Sequence, residues 1–341
     1  MVAYTGAVRI LVLGGTSFAG RHLVELGLAR GHDFVLFNRG RTGADLHPGL
    51  ERVVGERAGS LDGLRGRTFD AVADFSGYFP PDVERSAGLL ADAAARYLFV
   101  STRSVYSDNS RPGANEDSAV AELPPGAPED EITEESYGPL KLGCERAALA
   151  AFGDRALVLR PGLIVGPYDP TGRFTYWPVR AADGGDMLAP APPDQPIQVV
   201  DARDLAAFAL DLLERDAGGT FDVVSPGGML TLGGVLDSCV AAAGGAAARP
   251  VWVDEAFLLE RGVEPWSELP LWTPGEEMAG FQRSDVSRAL AAGLRIRPIA
   301  ETAADTLRWA REAQPDPGPA MTREREAALL AEWRLIYSPR P

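Results

Sequence analysis

The sequence predicts an α/β fold: a Rossmann-type doubly wound parallel sheet with a smaller C-terminal substrate-binding lobe. Three observations predict it. Short apolar runs alternate with helical patterns through the first half of the chain. A glycine-rich turn, GGTSFAG, separates the first apolar run from the first helical pattern. After Pro161 the texture changes, with Pro, Gly and Trp frequent in GPYDPTGRFTYWP and PAPPDQP.

Taken in order, 8–13 (VRILVL) fits a buried parallel strand. The glycine turn 14–20 follows, then a helix over 21–30 closed by Gly31, then an apolar strand at 34–37, which completes one βαβ unit. A strand at 71–75, a helix at 81–96 and a strand at 97–100 continue the pattern. The segment 108–136 is acidic and Pro-rich, and its length predicts a lid, a binding loop or disorder. A helix at 137–152, a strand at 156–160 and a strand-then-helix at 199–214 follow, while 252–274 reads as irregular and aromatic. Residues 1–165 are thus assigned to a dinucleotide-binding domain, completed by about 197–225, and 166–341 mostly to the substrate lobe.

Composition narrows the function. The chain has 341 residues, 45 % hydrophobic and 24 % charged, which suits a soluble protein with one large core and a second lobe. No apolar run approaches the ~18 residues of a membrane span. Residues 1–6 lack the basic and apolar regions of a secretory signal, so a cytoplasmic location is expected. Two cysteines, Cys144 and Cys239, make no disulfide framework. The histidines, His22, His32 and His47, do not combine with them at metal-ligand spacing, so no metal is expected. A formal net charge of -15 argues against a nucleic-acid partner. Of 33 Lys and Arg residues only Lys141 is lysine, which marks a position where arginine fails.

In the glycine turn, Gly14 permits the tight turn after the strand and Gly20 lets the helix pack close. Backbone N–H groups around Thr16, Ser17 and Phe18 then face a pyrophosphate at the helix start. The second strand ends at Asn38, where an acidic residue normally binds the adenosine ribose and favours NAD. Asn38 repels no 2′-phosphate, and Arg39 and Arg41 can clamp one, so NADP is preferred over NAD. Ser76 and Gly77, after the 71–75 strand, are further cofactor candidates. Hydroxyls in STRSVYS (101–107) follow a strand end, where one can bond a substrate oxygen. Tyr137 and Lys141 are four residues apart on a predicted helix, so phenol and ammonium point together. The positive charge is expected to lower the phenol's pKa toward neutrality.

These residues resemble the extended short-chain dehydrogenase/reductases of the epimerase/dehydratase type. GGTSFAG is similar to the family's GxxGxxG, with Ser17 as the departure. STRSVYS resembles its Ser/Thr segment ending in Val-Tyr-Gly, with Ser107 in place of the glycine, and Tyr137 and Lys141 match YxxxK. Arg160-Pro161-Gly162, Val165-Gly166-Pro167, the VDARDL of 200–205, 293–298 and Trp309 extend the likeness over nearly the whole chain. The resemblance implies that Tyr137 exchanges the substrate proton and Thr102 orients the oxygen. It also implies that Lys141 holds the nicotinamide ribose and that the backbone at Pro161 and Gly162 touches the nicotinamide.

Arg103 and Ser104 stand where sugar dehydratases of this kind carry an Asp-Glu pair, which argues against dehydration. Epimerases using an extra Cys/His or Lys pair also fit poorly. The expected activity is therefore reduction of a ketone or aldehyde, or the reverse oxidation, on a small polar, natural-product or sugar substrate. The alternative is a nucleotide-sugar epimerase with retained NAD. Two non-enzyme alternatives are a cofactor-sensing regulator and an RNA-associated relative, since GGTSFAG and FNRG resemble a plastid RNA-binding branch. Tyr78, Arg103, Ser104, Arg173, Tyr176 and Trp177 are the substrate-side candidates, with Asp169 a competing partner for Arg173. The resemblance allows a homodimer.

Overall fold

The computed structural model describes residues 6–245, 247–316 and 318–337. The reading of 1–6 as lacking a secretory signal lies, for 1–5, outside the described residues. The first half builds β1 (Arg9–Leu13), α1 (Phe18–Ala29), β2 (Asp33–Asn38), β3 (Glu51–Val54), β4 (Phe69–Asp74), α2 (Pro80–Leu90), β5 (Ala94–Val100), α3 (Glu134–Phe152) and β6 (Ala156–Pro161). The second half adds β7 (Leu163–Val165), α4 (Tyr176–Ala182), β8 (Asp186–Pro190), β9 (Pro196–Ile197), β10 (Val199–Asp201), α5 (Ala202–Glu214) and β11 (Gly219–Val223). It continues with β12 (Leu230–Thr231), α6 (Leu232–Ala243), β13 (Arg249–Val253), α7 (Glu255–Glu260), α8 (Ser287–Ala291), α9 (Ile299–Ala313) and α10 (Arg323–Tyr337).

Seven strands form one parallel sheet in the order β11-β6-β5-β4-β1-β2-β3. The chain winds outward from β1 in both directions, so the carboxyl ends of β1 and β4 flank a switch point where a ligand can lie. Alternation along each strand divides the apolar residues between two faces. Ile10, Val12, Phe34, Leu36, Leu157 and Leu159 pack beneath α1 and α5. Leu11, Leu13, Val35, Phe37, Tyr97 and Phe99 pack beneath α2 and α3. Leu13 pairs with Asp74, which sets the glycine turn beside the end of β4.

A separate core gathers Phe174, Tyr176, Trp177, Leu188, Leu236, Phe257, Trp272 and Leu330. Around it, β8 pairs with β13, β9 with β12, and β7 with β10. Among the described residues no helix is long and apolar enough to cross a membrane.

Several expectations are corrected. The first helix starts at Phe18, not at 21, because the glycine turn ends in a helical N-terminus. The 81–96 helix ends at Leu90, and Ala94–Arg96 are strand. The Ala-rich segment favours helix locally, but pairing of Phe69 with Ala94 and Ala71 with Arg96 overrides that propensity. The α3 helix begins three residues before Tyr137 because Thr133 and Ser136 form a reciprocal cap. The 252–274 stretch is not all irregular: it includes the end of β13 and all of α7.

The 108–136 segment is not free along its length. Tyr106 bridges to Val120, and Ala121 N donates to the Val105 carbonyl at 2.8 Å. Gly113 N donates to the Arg283 carbonyl at 2.8 Å, and Gly280 N to the Asn109 carbonyl at 2.7 Å. Paired backbone of this kind holds its first part against 280–285.

Candidate active site

The glycine turn closes as the sequence requires. Gly14 has φ +91°, a conformation that disfavours any side chain. A Cβ on Gly20 would lie 2.4 Å from the Gly14 carbonyl oxygen, so only glycine lets α1 start this close to β1. Ser17 precedes α1 in extended conformation, and no side chain caps the helix start. The first amides of α1 therefore face outward, ready for an anion. Thr16 is buried beside the turn, and Phe18 has φ +37°. Ser76 stands across from Gly14, with its Cβ 3.0 Å from where a Gly14 Cβ would be.

At the end of β2, Asn38 Oδ1 accepts a hydrogen bond from Gly40 N at 2.9 Å, while its Nδ2 is buried with no partner among the described residues. Arg39 and Arg41 are exposed on the following turn. A cradle that glycine alone can line, uncapped helix amides and an orphaned amide donor fit a dinucleotide.

Thr102 follows β5 and opens a 3₁₀ turn over Arg103–Val105, its hydroxyl accepting from Ser104 N at 3.1 Å. The same hydroxyl donates to Ser104 Oγ at 3.2 Å. Gly138 brings α3 against this turn: a Cβ there would sit 2.0 Å from the Ser104 carbonyl oxygen. The residue after Tyr137 is thus glycine for a steric reason, and the close approach puts the phenol beside Thr102. Gly138→Ala forces backbone apart rather than a side chain aside. It is expected to cost on the order of 3 kcal/mol or more in thermal or urea unfolding. An unchanged midpoint would contradict this packing.

Lys141 is 4 % exposed. Its Nζ donates to the carbonyl oxygens of Gly77 and Val100, both at 2.7 Å. An ammonium has three donors, so one remains for a ribose hydroxyl. Burial brings its pKa down to about 8. Tyr137 is half-buried, and burial pushes its phenol up, with Tyr78 adding to the rise. The Thr102 hydroxyl and the Arg173 charge pull it back down. The expected net lowering of the Tyr137 pKa toward neutrality is therefore corrected: burial outweighs the groups that favour the phenolate, and the phenol lies above its ordinary value.

The substrate-side candidates separate. Arg173 is half-buried, and its guanidinium lies 5.5 Å from the centre of the Trp266 ring. Asp169, its expected competitor, spends one oxygen on Thr171, and the other has no hydrogen-bond partner among the described residues. Tyr78 is 44 % exposed, with its ring 5.3 Å from Lys141 Nζ. Ser104 is half-buried and bonded to Thr102.

Trp177 and Tyr176 are corrected to core residues of α4. Trp177 is fully buried and donates to the Pro270 carbonyl at 2.9 Å, and Tyr176 stacks edge-on against it. Arg103 is likewise no open anion receptor. It is buried, donates to the Phe281 carbonyl at 2.9 Å and faces Asp222 at 3.7 Å. Burial pushes Asp222 up to about 7, while Tyr106 and Arg103 favour its charged form. Tyr106 also binds Arg160, which Glu145 holds bidentately at 2.9 and 2.7 Å. Pro161 closes β6, and Gly162 N donates to the Val223 carbonyl at 3.2 Å.

Sequence reasoning missed Trp266 and Phe281, whose rings pack edge-on and carry Arg173 and Arg103. No local motif marks them, because they meet their arginines from more than 90 positions away.

No family model matches the chain. The Arabidopsis thaliana chloroplast stem-loop binding protein of 41 kDa b is 25 % identical over 263 residues, covering 71 % of this chain and 65 % of that protein. The chain thus spans just under two thirds of that relative. Among solved structures, Bordetella bronchiseptica WbmH in complex with NAD+ is 18 % identical with a TM-score of 0.67, covering 90 % of this chain and 99 % of that one. UDP-glucuronic acid 4-epimerase from Bacillus cereus in complex with NAD is 13 % identical with a TM-score of 0.64, covering 89 % and 99 %. UDP-N-acetylglucosamine 4-epimerase from Bacillus cereus is 17 % identical with a TM-score of 0.65, covering 89 % and 100 %. With its seven-stranded parallel sheet flanked by helices and its second core, this chain shares the Rossmann-like α/β fold of these solved structures.

Proposed function

We propose that the protein is a nicotinamide-dinucleotide enzyme acting on a nucleotide sugar, a 4-epimerase with retained NAD. The observation that carries this is the meeting of Thr102, Tyr137 and Lys141 beside an uncapped helix start and a glycine cradle. A dinucleotide held by the glycine cradle and Lys141 would supply reversible hydride exchange with a sugar carbon, removal from one face and return to the other. Tyr137 would take the proton from the sugar hydroxyl and give it back, Thr102 would orient that oxygen, and Lys141 would hold the ribose. Epimerisation needs no further acid or base. Its balance is redox-neutral, which suits a retained cofactor. The NAD-bound solved structures of similar fold favour this over the net reduction that the sequence first suggests.

Arg173 supports an anionic substrate group, a diphosphate or a sugar carboxylate, because its half-buried charge lies near enough to favour the Tyr137 phenolate. Arg173→Ala is expected to raise KM by roughly 10- to 100-fold, the loss of one charge-assisted bond, with a smaller change in kcat. Comparing UDP-glucose with UDP-glucuronic acid separates the two anions. Loss confined to the latter assigns the carboxylate, equal loss assigns the diphosphate, and no loss on either removes Arg173 from the substrate.

A second reading, an NADPH-dependent reductase, is favoured by Asn38, Arg39 and Arg41 at the end of β2. Incubation of the NAD-loaded protein with UDP-hexoses and UDP-hexuronic acids tests the choice. The 4-epimer without net NADH is expected. Stoichiometric NADPH consumption with a carbonyl substrate, and no epimer, would overturn epimerisation. The acidic charge of the chain opposes the RNA-binding alternative.

A further inference from the structure

Behind Lys141 lies a buried charge pair that the proposed chemistry does not use. Asp74, the last residue of β4, is fully buried. Its Oδ1 accepts from Arg57 Nη1 and from Ser76 N, the latter at 3.0 Å, and its Oδ2 accepts from Tyr97 OH at 2.7 Å. Arg57, beyond β3, has a side chain only 10 % exposed; it donates to Ser86 Oγ at 2.7 Å and to Ser76 Oγ at 3.3 Å. Two desolvated charges of opposite sign persist only when each is compensated, and removal of either leaves the other exposed to the apolar interior.

The pair touches the candidate site twice. Ser76, bonded to both Asp74 and Arg57, is the residue that abuts Gly14 of the glycine turn. The Gly77 carbonyl receives one of the two Lys141 bonds, and a Cβ on Gly77 would come within 3.2 Å of Asp74 Oδ2. We propose that Arg57 and Asp74 are positioning residues: a compensated pair that fixes the Ser76–Gly77 turn and balances the charge beside Lys141, so that turn and ammonium meet the dinucleotide together. The functional half of this rests on the dinucleotide reading above.

The groups around Lys141 set the test. Burial dominates its titration; Cys144, Asp74 and Glu145 favour its charged form, and Arg57 opposes it. The Tyr78 and Phe99 rings lie 5.3 and 4.2 Å away, and Tyr137 stands one turn earlier on α3. Burial pushes Asp74 up, but Arg57 and the Tyr97 hydroxyl hold it below its ordinary value.

Lys141 is the only lysine in the chain. Lysine-selective ¹³C labelling therefore gives one side-chain signal whose titration is Lys141's own, whether or not the protein turns anything over. Arg57→Met leaves Asp74 uncompensated and is expected to move the midpoint up. Asp74→Asn leaves Arg57 uncompensated and is expected to move it down, each by on the order of one pH unit. Arg57→Lys keeps the charge but loses the fork; because it adds a second lysine it is read by dinucleotide titration alone, where it is expected to weaken binding roughly tenfold. Shifts of the same sign, no shifts, or wild-type affinity in Arg57→Lys would overturn the proposal. If either single-charge variant fails to fold by circular dichroism, Tyr97→Phe carries the charge test. It withdraws one donor from Asp74 and is expected to raise the midpoint; an unmoved midpoint overturns the pair's role. Failure of wild type to bind NAD or NADPH would sink the dinucleotide reading alone, because the opposed shifts still decide the charge balance.

Discussion

Tyr137→Phe is expected to lower kcat by roughly 10²–10⁴-fold, the usual worth of a positioned proton donor, while leaving dinucleotide affinity within about twofold of wild type. The phenol ring packs beside the Thr102 turn and is held there by the Gly138 approach, so phenylalanine keeps the shape and loses only the hydroxyl. Burial raises the phenol's pKa, with Thr102 and Arg173 pulling against it. The wild-type rate should therefore climb into the alkaline range in the direction that demands phenolate, and Arg173→Ala should push that limb further up. A Tyr137→Phe enzyme with more than a tenth of wild-type kcat would remove the residue from proton transfer.

Lys141→Met is expected to abolish turnover and to remove the alkaline pH dependence of the cofactor-free protein's stability. The ammonium is buried, and its pKa falls from an ordinary 10.5 to about 8. Below pH 8 the folded state carries a charge its interior disfavours; above 10.5 neither state is charged. Between those values the unfolded chain binds the proton and the folded chain does not, so wild-type stability rises with pH through that window and is lost as pH falls through 8. The difference between those values corresponds to on the order of 3 kcal/mol. Methionine also abandons two bonds from a charged donor, to the Gly77 and Val100 carbonyls, which costs about 3 kcal/mol or more. The two contributions nearly offset at pH 7, and a flat profile between pH 8 and 10.5 should appear in urea unfolding. A variant as pH-dependent as wild type over that window would mean that Lys141 is not the titrating group.

The parts of the site that sequence makes legible are those whose chemistry is local. Gly14, Gly20 and the Ser17 helix start lie within seven positions, and Tyr137 and Lys141 within five, so spacing alone aligns them. Local propensity misleads where the sheet decides. The Ala-rich end of the 81–96 segment is pulled into β5, and ERVV at 51–54, too short to signal, becomes an edge strand. Aromatic residues after Pro161 carry no label for their side. Trp177 fills the second core, whereas Trp266, almost ninety residues later, meets Arg173 at the site. Arg103 looks like a substrate residue because it follows Thr102, but Asp222 and the Phe281 carbonyl, more than a hundred residues distant, claim its guanidinium. Arg57 and Asp74 were invisible for the same reason, since a buried pair is defined only once β3 and β4 are folded.

The most direct test of the central claim is the nucleotide content of the purified protein. It would be denatured, the released nicotinamide nucleotide identified, and the emptied protein titrated with NAD and NADPH. The account predicts NAD at near-stoichiometric occupancy, bound through the glycine cradle and released only on unfolding. Absence of any nicotinamide nucleotide, with no binding of NAD or NADPH on titration, would contradict it.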